Sequence, residues 1–151
     1  MSTNAFLARQ PIVDASGGML GYELLFRHAQ DAASARIGNE LEAGIHVIAN
    51  TLFDMGTHWL LEGKLAFVNM GPETLLSATT TLLPPDKVVI ELTSEVKPEP
   101  AIEARLRELS GMGFRFSLDA RASDSDFAAL LPHCAFVKID PRDLDDATLG
   151  Q

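Results

Sequence analysis

The sequence is poor in several residue types, and each scarcity removes a class of protein. One cysteine, Cys134, occurs in 151 residues, so neither an internal disulfide nor a zinc cluster of cysteines can form. That thiol sits in an apolar run, where an inert core role is expected. Basic residues are also few: 12 Lys and Arg stand against 21 Asp and Glu, a formal net charge of -9. Such a chain lacks the basic footprint that phosphate backbones need, so nucleic acid is not an expected partner. No run of about 18 apolar residues is present, and no membrane association is expected. The N-terminus has neither the basic nor the apolar region of a signal peptide, which makes the cytoplasm the expected location. The acids form no block of like charge, so they are either spread over the surface or collected at a site.

What is present is an alternation of apolar strands and amphipathic helices. Residues 6–14 and 19–26 read as two strands joined by the turn Asp14-Ala-Ser-Gly-Gly18, an antiparallel hairpin with Pro11 favouring an edge. A helix is expected from Asn39 to about Met55, where Leu41, Ile45, Ile48 and Leu52 recur at helical spacing. His46 and His58 read as surface or capping residues rather than metal ligands. Further strands are expected at 64–70, 88–95, 114–119 and 135–140. Between them lie helices opened by Pro72, by Pro98 and Pro100, and a third over 124–132. Helix and strand in turn imply an α/β fold with parallel strands and helical crossovers.

The chemistry lies at the strand ends. In the second strand, alternation puts Glu23, Leu25 and Arg27 on one face and Tyr22, Leu24 and Phe26 on the other. Taken alone, Glu23 and Arg27 read as a solvated pair on an edge strand. Asn69, Glu91, Asp119, and Asp140 with Lys138, then fall at or near the C-terminal ends of successive strands. Singly, each acid reads as a helix cap or loop charge. Together they occupy the edge where barrels and open α/β sheets build their sites. Carboxylates gathered there repel one another unless a cation sits among them, and oxygen donors of this kind, an amide included, suit Mg²⁺, Mn²⁺ or Ca²⁺.

Five short motifs carry a resemblance. Tyr22-Glu-Leu-Leu-Phe-Arg27, Phe67-Val-Asn-Met70, Ile90-Glu-Leu-Thr93, Phe116-Ser-Leu-Asp119 and Val137-Lys-Ile-Asp140 resemble, in order and approximate spacing, those of the EAL domain. That family comprises bacterial cyclic di-GMP phosphodiesterases and inactive relatives. It implies a modified (β/α)8 TIM barrel whose first strand runs antiparallel, here incomplete at about six strands. Residues 1–151 would then be the N-terminal part of one EAL-like domain. Ala8-Arg-Gln-Pro-Ile12, followed by Gly21 to Arg27, is similar to a subgroup in which the domain is joined to a modified HD-type domain. The resemblance implies that Glu23, Asn69, Glu91 and Asp119 match ligands of a first metal, Mg²⁺ or Mn²⁺. It likewise implies that Arg27 matches a substrate-phosphate contact and Lys138 the lysine near the attacking water, with Asp140 in the same motif. Active members use two divalent ions to cut one phosphodiester, giving linear pGpG.

The same comparison exposes departures. Active members carry a second Asp directly after the first on the fifth strand, where this chain has Ala120 and then Arg121. The Glu expected after Thr93 is Ser94, and Glu95, if the strand continues, points to the opposite face. A full barrel of this type needs about 250 residues. The expectation is therefore a catalytically degenerate, regulatory or protein-interacting EAL-like domain. A working phosphodiesterase and a receptor that holds cyclic di-GMP uncut are the alternatives. An incomplete barrel leaves sheet edges bare, which favours a homodimer or a partner protein.

Overall fold

The computed structural model describes residues 5–28, 45–46, 48–50, 63–120, 124–140 and 142. β1 (Ala5–Val13) and β2 (Met19–His28) pair antiparallel, with Pro11 opposite Tyr22 on the sheet edge. Their turn is set by Asp14, whose Oδ1 accepts from the N–H groups of Ser16 and Gly18 and from the Ser16 hydroxyl. Gly17 takes the φ of 83° that this tight reversal demands. β3 (Leu65–Met70), β4 (Val88–Leu92), β5 (Arg115–Asp119) and β6 (Phe136–Lys138) follow in parallel, and the six strands lie in the order β1 to β6. This is the sheet of an incomplete (β/α)8-type barrel with an antiparallel first pair.

The two faces of the sheet have different jobs. One carries Tyr22, Leu24, Val68, Ile90, Phe116 and Leu118, buried in the main apolar cluster. Onto it pack α1 (Pro72–Leu76), α2 (Pro100–Gly111) and α3 (Asp124–Leu130). Proline at the first turn suits α1 and α2, because the first amides of a helix lack partners anyway. α2 buries Ile102, Leu106 and Leu109 at helical spacing. Its Arg105 reaches across to α1, where Nε donates to Leu75 O at 2.9 Å and Nη2 to Ser77 O at 2.9 Å. The opposite, concave face begins with the row Glu23–Phe67–Val89–Arg115, aligned by the parallel register. Phe67 is fully buried and meets Phe136 edge to face at 5.5 Å, forming an apolar floor.

Several boundaries differ from the sequence-based expectation. β4 ends at Leu92, so residues 93–95 are a turn and Glu95 is not governed by strand alternation. β6 ends at Lys138, two residues before Asp140. The third expected helix stops at Leu130 and yields to a 3-10 turn, Leu131–His133, which Pro132 opens. Residues 45–46 and 48–50 are helical as expected, and His46 is exposed there. The remainder of the 39–55 helix, His58 and the loop after Arg27 lie outside the described residues. Cys134 packs against the core, and its S–H donates to Leu130 O. No helix among the described residues is long and apolar enough to cross a membrane.

Candidate functional site

Parallel register places the site residues in rows. Asn69 aligns with Glu91, Glu91 with Ser117, and Ser117 with Phe136, directly above the Phe67 floor. Asp119 and Lys138 form the next row. Glu23 starts one row lower, but its longer side chain rises to Asn69, whose Nδ2 donates to Glu23 Oε1 at 2.7 Å. Lys138 leans the other way and connects three strands. Its Nζ lies 2.9 Å from Glu23 Oε2 and 2.6 Å from Glu91 Oε1. Glu23, Asn69, Glu91, Asp119 and Lys138 line one open pocket of ≈ 500 Å³, together with Leu92, Thr93 and Ser94.

The electrostatics follow from burial. The Glu91 side chain is 4% exposed, and desolvation holds its pKa above the ordinary carboxylate value. The bonds and charge of Lys138 pull it back, while Glu23 and Asp119 add like-charge repulsion. Burial alone would lower the pKa of Lys138, but its hydrogen bonds and Coulomb attraction to Glu91 and Glu23 outweigh that and leave it raised. The ammonium is therefore fixed as a cation at neutral pH. One acceptor is left over: Glu91 Oε2 is buried without a hydrogen-bond partner, as are the hydroxyls of Thr93 and Ser117.

These buried groups test whether a divalent ion fits. The donor chemistry does, since three carboxylates and an amide converge and one carboxylate oxygen has nothing to satisfy it. The present arrangement is not preassembled, because Lys138 holds two of the carboxylates. No group of three or more His, Cys, Asp or Glu among the described residues stands ready to enclose a metal ion. When bound, such an ion would supply Lewis-acid chemistry, with Glu23, Asn69, Glu91 and Asp119 as its holders.

Of the sequence-derived set, Glu23, Asn69, Glu91, Asp119 and Lys138 are assembled in the pocket. Asp140 lies beyond β6 and bonds through both carboxylate oxygens to the Arg142 guanidinium, outside the pocket lining. A carboxylate finds a guanidinium two residues ahead more readily than a pocket at a strand end two residues back. Arg27 pairs with Phe6 through the β1–β2 ladder, and its side chain lies outside the described residues. Ala120 is exposed immediately after β5, and its N–H donates to Lys138 O. Thr93 and Ser117 escaped sequence reasoning, although each stands two residues from an identified acid, Ser117 on the same side of β5 as Asp119 and Thr93 just past the end of β4.

Comparison with known proteins places this geometry. No family model matches the chain. An EAL domain protein from Listeria monocytogenes superposes with a TM-score of 0.67 at 20% identity, covering 95% of this chain and 66% of that one. The fold is that of an EAL domain. Among curated proteins, the uncharacterized protein YuxH of Bacillus subtilis is 34% identical over 128 residues, 84% of this chain. The cyclic di-GMP phosphodiesterase CdgJ of Vibrio cholerae is 29% identical over 135 residues, 89% of this chain. The EAL-type chain spans 29% and 31% of those two proteins, less than a third of each.

Proposed function

We propose that this EAL-type domain serves cyclic di-GMP signalling as a regulatory module that no longer cuts the nucleotide. The similarity to CdgJ supports the signalling context. The observation that carries the loss of cleavage is Ala120. It follows β5 with a methyl group where the resemblance expects a second carboxylate, so one of two ions lacks a ligand. Two-metal hydrolysis needs both ions to generate the nucleophile and to clamp the developing charge. In this reading Glu23, Asn69, Glu91 and Asp119 keep a single position for Mg²⁺ or Mn²⁺, Arg27 contacts a phosphate of cyclic di-GMP, and Lys138 governs the site rather than assisting a water. Incubation with cyclic di-GMP and Mn²⁺, followed by chromatography, tests this: the nucleotide stays intact, whereas accumulation of pGpG establishes the working phosphodiesterase that CdgJ's own activity favours.

The reading extends to partners. A modified HD-type domain in the same protein is the proposed neighbour and the cytoplasm the proposed location. Val137 on β6, the last described strand of the sheet, and Ile139 just after it are exposed, a surface suited to a second copy of the chain. Light scattering checks this: a dimer is expected, and a monomer at high concentration removes the homodimer from the account.

A further inference from the structure

The pocket carries three carboxylates, Glu23, Glu91 and Asp119, and one ammonium. Four features of that arrangement belong together. The ammonium of Lys138 bridges Glu23 and Glu91, which come from strands on either side of β3. The bridge is partly shielded, with Lys138 21% and Glu23 14% exposed, so water screens it weakly. Glu91 nevertheless keeps Oε2 buried and unpartnered, so Lys138 satisfies only half of that carboxylate. Finally, the pocket is open rather than enclosed, so a small ion can enter.

We propose that Lys138 is an internal counter-cation that occupies the place of a divalent ion, and that metal entry displaces it from Glu23 and Glu91. This rests on the reading of the site as an EAL-type ligand set and adds a competition within it. A tethered ammonium keeps the acids assembled when no ion is present, and its charge opposes entry of another cation. An arriving ion would satisfy Glu91 Oε2, which Lys138 leaves without a partner, and would replace the ammonium at Glu23. The lysine stem is long and flexible, so its ammonium can leave both carboxylates without moving a strand. The domain thereby exchanges one ordered state for another according to divalent-ion supply, without any chemical step.

Mn²⁺ binding, followed by the electron paramagnetic resonance signal of the free ion, tests the exchange without nucleotide and so without reference to hydrolysis. Lys138→Met should bind Mn²⁺ at least about tenfold more tightly than the unaltered protein, because a repelling charge a few ångströms away has gone. Lys138→Arg keeps the charge and should gain nothing. Should Lys138→Met fail to fold, the unaltered protein supplies the second readout. Acetylation of Lys138, followed by peptide mass spectrometry, should be slow without metal and rise severalfold with saturating Mn²⁺. Equal or weaker Mn²⁺ binding by Lys138→Met, no Mn²⁺ binding by either protein, or labelling indifferent to metal overturns the proposal. Formation of pGpG would instead overturn the loss of cleavage and leave this exchange standing.

Discussion

Lys138 Nζ lies 2.6 Å from Glu91 Oε1 although a whole strand, β5, separates their backbones in the sheet. Strand curvature and the length of the lysine close that gap, and the same ammonium also holds Glu23 on β2. Three strands are thus joined across the concave face by one side chain. Removing it affects stability before it affects function.

Lys138→Met leaves Glu91 as an uncompensated buried carboxylate, and the expected cost is about 3 kcal/mol at pH 7. Burial already raises the pKa of Glu91 above 4.5, and loss of the ammonium raises it further. The folded protein then retains a proton that the unfolded chain has released. Its stability is therefore kept below pH 4.5 and lost as pH rises through the elevated value. Urea unfolding at pH 5 and pH 7 should show a deficit that is smaller at pH 5; a pH-independent deficit contradicts the burial argument.

Gly21 lies opposite Leu65 in the parallel β2–β3 pairing. A Cβ built there would stand 2.4 Å from Leu65 O and 3.0 Å from Leu65 C, both backbone atoms that cannot turn aside. Gly21→Ala must therefore spread the two strands, at about 3 kcal/mol or more. Thermal unfolding checks this, with Gly17→Asn in the exposed turn as a mild comparison.

Arg105 joins α2 to the end of α1 through two carbonyls that the short helix cannot satisfy itself. Arg105→Met keeps the packing stem and removes both charged donors, for an expected loss of about 2 kcal/mol. Its contact with Glu108, whose side chain is 55% exposed, contributes little, so Glu108→Gln should be nearly silent in the same denaturant titration.

Cys134 should behave as a masked thiol. Burial pushes its pKa from 9.0 to about 11. At pH 8 it should react with a disulfide reagent about a hundredfold more slowly than a free thiol of ordinary pKa. A raised thiol pKa adds stability that is present below pH 9.0 and lost as pH climbs toward about 11. Rapid stoichiometric labelling at pH 8 would show that the thiol is not held against the core.

Much of the site is legible in the sequence because parallel strands carry their functional residues at one end. Asn69, Glu91, Asp119 and Lys138 could be gathered from strand order alone, and Glu23 from alternation on β2. Side-chain reach was not legible. Nothing in the spacing says that Lys138 reaches past β5 to Glu91 and on to Glu23 of β2, or that Asp140 pairs with Arg142, two residues away. Strand length was the other weak point. Thr93 keeps its β propensity, yet β4 has no hydrogen-bonding neighbour beyond Leu92 on the β5 side, and Glu95 ends in a turn beside Gly71. A register argument about Glu95 fails once the strand has ended. Ser117 and Thr93 went unnoticed because hydroxyls in apolar strands read as ordinary β-formers.

The central claim is that Lys138 holds the place of a divalent ion among Glu23, Asn69, Glu91 and Asp119. Anomalous diffraction from crystals soaked in Mn²⁺ addresses it most directly. The account predicts one peak among these four side chains, with Lys138 Nζ withdrawn from Glu23 and Glu91. A site without a peak at millimolar Mn²⁺, or a peak with the lysine bridge intact, would contradict it.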